Sequence, residues 1–328
     1  MAHHPPDDPT GYLEQLIERF RPLREGELKG YDPEPTPEEA DRFAVALATV
    51  DGRVFAAGDH DHAFGLQSMS KPFIYGLALD RFGREAVHRK VSVEPTAEAF
   101  NSITELEEDH LPYNPMINAG AIAMSAMLHH ADPQGAIDGM MDMFSRYLGR
   151  RASLHEELDR SELKGSHRNL AIAHLLRHFE VIGDDIDGAL RLYAHQCAVL
   201  ATTSELALMA ATLANGGTHP RTGERAIRRE HLRDVLTLMF TCGMYDSSGS
   251  WAYTVGLPAK SGVSGGILAV VPGRFGLAVY SPRLDSHGHS VRGVEVFRAW
   301  SADWNLSLFD ASPDRAPPMP GRGSSVAG

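Results

Sequence analysis

The sequence predicts an α/β fold of the α+β kind: an antiparallel sheet built from both ends of the chain, flanked by helices, with a helical domain inserted between. Strand-like runs fall at residues 43–57 and again at 265–282. Helical patterns dominate residues from about 117 to 245. Each strand run is also broken by a turn signal that folds it back on itself.

The elements follow in order. Residues 43–49 and 54–57 flank Asp51-Gly52, a strong hairpin signal. After Ser68 comes Pro72 and an almost wholly apolar segment through Leu79, which suits a buried helix ended by Gly83; Pro72 is tolerable because it falls in the first turn. Helices are expected from Asn118 through His130, near 135–148, over 169–179, over 188–200 and over 204–217, the last stopped by Gly216-Gly217. Strands return at 265–272 and 275–282, separated by Gly273-Arg274. A final helix over about 290–303 turns Val291, Val294, Val296 and Phe297 toward the core. Residues 1–10 and 312–328 read as disordered, the latter rich in Pro, Gly and Ser. Residues 11–311 form one catalytic unit, with a sheet subdomain at about 25–100 and 250–310 and a helical subdomain at about 101–249.

Bulk properties exclude several classes. A net charge of −12 argues against nucleic acid or an anionic membrane as the main partner. No apolar run approaches the length of a membrane span. The first residues lack a basic region followed by an apolar stretch, so no secretory signal is expected and the chain reads as cytoplasmic. Cys197 and Cys242 are too few for a disulfide framework and read as packed thiols. The 17 histidines include His287-Gly288-His289 but form no convincing ligand set, so neither a metal nor another cofactor is expected.

Chemistry concentrates at the lysines. The chain has five, at 29, 71, 90, 164 and 260, against a far larger arginine content. Arginine supplies charge but cannot give up its proton, so lysine marks places where a neutral amine or compact ammonium is needed. Lys71 closes Ser68-Met69-Ser70-Lys71, a Ser-x-x-Lys, in which the spacing puts the amine beside the hydroxyl. A serine is a poor nucleophile until a base takes its proton, and burial disfavours the ammonium form of Lys71. Ser161 to Lys164 repeats the pattern, but Gly165 follows and no apolar helix does. Lys260-Ser261-Gly262 leads into an apolar strand. In serine enzymes of the penicillin-recognising type, such a Lys-Thr/Ser-Gly edge lines the site opposite the nucleophile, where a backbone N–H can face a developing oxyanion.

Four blocks make the resemblance specific. Gln67 through Lys71, Glu94-Pro95 through Ile103, Asn114 through Ile122 with Asn118 at its centre, and Lys260 through Gly266 resemble the serine-dependent glutaminase family, over about Tyr31 to Phe309. The resemblance implies a β-lactamase/penicillin-binding-protein-like fold and hydrolysis of L-glutamine to L-glutamate and ammonia. It implies Ser68 as nucleophile, Lys71 as its proton acceptor, and an oxyanion hole from the backbone N–H groups of Ser68 and Val263. It also implies site roles for Lys260, Gln67, Tyr31, Glu162, Asn169, Tyr193 and Tyr245, and assembly as a homo-oligomer, either dimer or tetramer. Glu162 can pair with the substrate's α-ammonium. Asn118, Asn169 and Tyr31 can donate to its carboxylate. Either Tyr193 or Tyr245 could relay a proton to departing ammonia. A β-lactamase or peptidoglycan peptidase is the second enzyme reading, and a non-catalytic binding protein on this fold the third. The middle motif Ile117-Asn118-Ala119-Gly120, unlike the usual Ser-Asp-Asn or Tyr-x-Asn, opposes the second; the intact Ser68, Lys71 and Lys260 oppose the third.

Overall fold

The computed structural model describes residues 8–28, 36–96, 101–103, 106, 109–165 (backbone alone at 163–165) and 167–310. Five strands form one antiparallel sheet in the order β2-β1-β7-β6-β5. They are β1 (Ala44–Thr49), β2 (Val54–Gly58), β5 (Ala259–Ser261), β6 (Gly266–Val271) and β7 (Phe275–Tyr280). The expected hairpin at Asp51-Gly52 joins β1 to β2, with Ala48 opposite Val54. The second turn, at Gly273-Arg274, sets Val271 opposite Phe275. The two ends of the chain meet where β1 pairs with β7, Leu47 opposite Leu277.

Every residue of β6 and β7 is buried, because both faces of the sheet are covered. The two-residue period of a strand divides their side chains between two cores. Leu268, Val270, Ala278 and Tyr280 join Ala44, Ala46 and Ala48 in the core on the helical side, against the helix Thr203–Ala214. Ile267, Ala269, Val271, Leu277 and Val279 join Val45 and Leu47 in the other core, under the helices Thr10–Phe20 and Val291–Trp304. Arg292 is buried there and donates to the carbonyls of Leu23, Arg21 and Asp41 and to Asp41 Oδ1 at 2.6–3.1 Å. The last helix begins at Val291, capped by Ser290, and buries Val296 and Phe297; Val291 and Val294 are half-buried. Trp300 and Trp304 extend that face.

The middle of the chain is helical, with helices Asn118–Ala131, Ala136–Leu148, Glu156–Gly165, His167–His178, Ile186–Ala198 and Thr203–Ala214. The helix that opens at Lys71 breaks at Gly83 as expected: its φ of 76° and ψ of 163° are non-helical, which the lack of a Cβ permits, and helical backbone then resumes to His88. One local expectation needs correction: the helix over 188–200 stops at Ala198, short of its expected end. Leu200–Thr202 (β4) is then a strand, antiparallel to Ala63–Gly65 (β3). No helix among the described residues is long and apolar enough to cross a membrane.

Candidate active site

The small β3–β4 pair aims the chain at Ser68. Gly65 lies opposite Leu200, and the Leu66 N–H donates to Val199 O at 2.8 Å. The chain then enters a tight turn, Gln67–Ser70, that runs into the helix Lys71–His88 with Pro72 in its first turn. Gln67 has φ 49°, a left-handed conformation that side-chain-bearing residues avoid and that strained functional turns use. Bonds from Met69 N–H to Leu66 O at 3.0 Å and from Ser70 Oγ to Gln67 O at 2.7 Å hold it there. Ser68 is 6% exposed, so its hydroxyl sits at the edge of a buried site.

Lys71 lies wholly inside, and burial lowers its amine to about 8. The charges of Cys197 and Glu162 act in the opposite direction. Its Nζ donates to Asn118 Oδ1 at 2.6 Å, and Asn118 Nδ2 donates to Asn169 Oδ1 at 2.9 Å. Asn118 opens its helix and Asn169 is the third residue of His167–His178, both buried. Asn169 thus turns inward.

Lys260 stands in the edge strand β5, also wholly buried. Burial, with the Lys71 charge adding, pushes its amine well below the usual lysine range. Its Nζ donates to Ser261 O at 2.8 Å and lies 3.8 Å from the centre of the Tyr245 ring. Lys71 Nζ is 5.9 Å from the same ring. Burial raises the Tyr245 phenol, and the nearby Ser68 hydroxyl works against that rise. Tyr245, at φ 52°, is a second side-chain-bearing residue in the left-handed region. Its turn is seated by Gly243, where a Cβ would come within 1.8 Å of Ala259 O, so only glycine lets the turn lie on β5. One phenol ring therefore packs on Lys260 and lies near both Ser68 and Lys71.

Glu162 closes another side. Gln67 Nε2 donates to its Oε1 at 3.1 Å, linking the strained turn to the helix Glu156–Gly165. Tyr193 is buried on Ile186–Ala198 beside Cys197, one turn on; burial raises both groups. Ser70 lies near the same thiol. Val263 lies on the turn between β5 and β6. That turn's own bonds run from Gly262 N–H to Gly266 O and from Gly265 N–H to Gly262 O, so neither uses the Val263 N–H. A Cβ on Gly262 would approach Leu66 O to 2.9 Å, which brings the turn against the segment leading to Ser68.

Gln67, Ser68, Lys71, Asn118, Glu162, Asn169, Tyr193, Tyr245, Lys260 and Val263 thus converge from seven segments, and Tyr31 lies outside the described residues. Two neighbours, Cys197 and His289, were not expected at the site. Cys197 is the packed thiol expected, and it lies among Tyr193, Ser70 and Lys71, a place its spacing from Tyr193 could have suggested. Ser261 and His289 flank Lys260 and Tyr245: His289 Nδ1 and Ser261 Oγ are 2.9 Å apart. The neighbouring His287 turns away to Asp246 at 2.8 Å.

A two-faced antiparallel sheet with an inserted helical region, in which a buried Ser-x-x-Lys turn faces a Lys-Ser-Gly edge strand, defines the β-lactamase-like class. Within it, the chain belongs to the glutaminase family, whose model matches residues 26–309. Glutaminases of Microcystis aeruginosa and Trichormus variabilis are 47% and 46% identical over 305 and 298 residues. Those matches span 93% and 91% of this chain and 90% and 89% of the relatives. A crystal structure of Mglu in its glutamate form superposes with TM-score 0.87 at 44% identity, over 94% of this chain and 71% of that one. A Bacillus subtilis probable glutaminase gives 0.85 at 34% identity, over 92% and 98%. Membership makes this chain a hydrolase acting on glutamine, and it decides against the β-lactamase, peptidase and non-catalytic alternatives.

Proposed function

We propose that the protein hydrolyses L-glutamine through an ester on Ser68. The Ser68 hydroxyl attacks the side-chain amide carbon while neutral Lys71 takes its proton, forming the C–O bond and an oxyanion. The backbone N–H groups of Ser68 and Val263 receive that oxyanion. Collapse breaks the C–N bond, and the leaving nitrogen departs as ammonia with a proton returned from Lys71 through the Tyr245 phenol. Water then adds to the ester, giving up a proton to Lys71, and collapse releases L-glutamate and restores the Ser68 hydroxyl. The sum is glutamine plus water to glutamate plus ammonia.

The observation that carries the proposal is the close grouping of Ser68, Lys71 and Tyr245 in a buried setting that lowers Lys71 to about 8. A lysine that titrates there yields a useful fraction of free amine near neutral pH, whereas a solvated one yields almost none. Tyr245 is the better relay of the two tyrosines, because its phenol lies by the Ser68 hydroxyl while that of Tyr193 lies by the Cys197 thiol. Glu162 takes the α-ammonium, and Asn118 with Asn169 takes the α-carboxylate. Tyr31 joins them by family likeness.

Ammonia release from L-glutamine, L-asparagine and D-glutamine tests the substrate, and added hydroxylamine tests the ester. L-Glutamine alone should react, and hydroxylamine should divert product to the γ-hydroxamate. Reaction with all three, or no hydroxamate, would contradict the proposal.

A further inference from the structure

Tyr245 is held from two sides. Lys260 Nζ sits 3.8 Å from its ring centre, and His289 is stacked on the ring, with centroids 5.7 Å apart and planes 12° from parallel. Ser261 joins these two supports, since its carbonyl accepts from Lys260 at 2.8 Å and its hydroxyl pairs with His289 Nδ1 at 2.9 Å. The contacts close a ring of four residues: Tyr245, His289, Ser261 and Lys260. None of the other three is a substrate-reading residue such as Glu162, Asn118 or Asn169.

His289 is itself immobilised. It is 2% exposed. Its N–H donates to Asp285 Oδ1 at 3.0 Å, and its carbonyl accepts from Asp285 N–H at 2.8 Å. The next residue, Ser290, caps the helix Val291–Trp304 and donates to Ser281 O at 2.8 Å. A side chain so fixed is a firm backstop for a tyrosine whose own backbone is in the left-handed region. Burial lowers His289 to about 4, so near neutral pH it is an uncharged imidazole beside Lys260. An uncharged ring can lie there without repelling the lysine.

We propose that His289 is a positioning residue, which sets the Tyr245 phenol at Ser68 by stacking on its ring and bonding to Ser261. This rests on the reading of Tyr245 as the partner of Ser68. It goes beyond that reading by naming what keeps the phenol in place, outside the Ser-x-x-Lys and Lys-Ser-Gly motifs.

The test is a double-mutant cycle in the full-length protein, with kcat and KM for L-glutamine measured for His289→Ala, His289→Asn, Tyr245→Phe and His289→Ala/Tyr245→Phe. His289→Ala should lower kcat about tenfold or more while KM stays within about twofold, as expected when a reacting group is displaced and substrate contacts are kept. Asparagine has a polar atom where His289 has Nδ1 but no ring to stack, so His289→Asn should regain Ser261 and part of kcat. In the Tyr245→Phe background, His289→Ala should cost little more, because both changes remove one function. Full activity in His289→Ala overturns the proposal, as does an equal factor in both backgrounds. If His289→Ala fails to fold, a kcat of His289→Asn as low as that of Tyr245→Phe overturns it. Full activity in Tyr245→Phe would sink the role of Tyr245 itself, and His289 with it, a result distinct from the others.

Discussion

Lys71 Nζ donates to Asn118 Oδ1 at 2.6 Å, while the other end of the same amide donates to Asn169 at 2.9 Å. One asparagine thus joins the proposed base to a proposed reader of the substrate carboxylate. Substrate that drew Asn118 toward its carboxylate would loosen the bond that favours the ammonium form of Lys71, and so ready the base on binding.

The pH dependence of kcat/KM follows from Lys71. Its lowered value of about 8 is that of the free enzyme, and the base works only when neutral. Below pH 8, kcat/KM should fall about tenfold per unit. Lys71→Arg keeps the charge but cannot supply the neutral base, and should be inactive at every pH up to 10. A wild-type profile flat between pH 6 and 8 would count against Lys71 as base.

The same burial bears on stability. Lys71 titrates near 8 when folded and 10.5 when free, so below pH 8 the folded state must hold a buried charge that the unfolded state solvates. That opposes folding by roughly 3 kcal/mol. The opposition lessens as pH rises from 8 to 10.5, where the unfolded chain binds more protons. Lys71→Met removes it, offset in part by the lost bond to Asn118. Melting curves should therefore show Lys71→Met more stable than wild type at pH 7, with the gain shrinking toward pH 10. A gain independent of pH would refute the cause.

Gly243 seats the Tyr245 turn on β5, with room for no Cβ within 1.8 Å of Ala259 O. Gly243→Ala should destabilise the fold by about 1–3 kcal/mol. It should also depress kcat, because Tyr245 is two residues away. Urea unfolding and steady-state rates check both, and an unchanged kcat in folded protein would detach the turn from catalysis.

Glu162 accepts from Gln67 and is assigned the α-ammonium. Glu162→Gln removes one charge-assisted bond and should raise KM roughly ten- to a hundredfold. The deamino analogue of glutamine has no ammonium to lose, so the wild type and variant should treat it alike. A variant equally impaired on both substrates would place Glu162 in a structural role.

How far the site was legible from sequence depended on distance along the chain. Ser68 with Lys71, and Lys260 with Ser261, are local patterns whose spacing carries their chemistry. The hairpins at Asp51-Gly52 and Gly273-Arg274 were legible for the same reason. Glu162, Asn169, Tyr193 and Tyr245 are remote from Ser68 in the chain, and only the family likeness pointed to them. β4 was hidden because a three-residue strand between two helices has too little pattern to show. Gly83 was legible as a helix break because glycine alone takes its non-helical φ of 76° at no steric cost. His289 showed only as one of a His-x-His pair, since stacking on Tyr245 is a tertiary fact.

The most direct measurement is ammonia release from L-glutamine by Ser68→Ala beside the wild type, with circular dichroism to show that both are folded. One buried hydroxyl removed should leave the fold intact and lower turnover by about a thousandfold or more. Folded Ser68→Ala that releases ammonia at the wild-type rate would show that the amide is attacked by something other than Ser68.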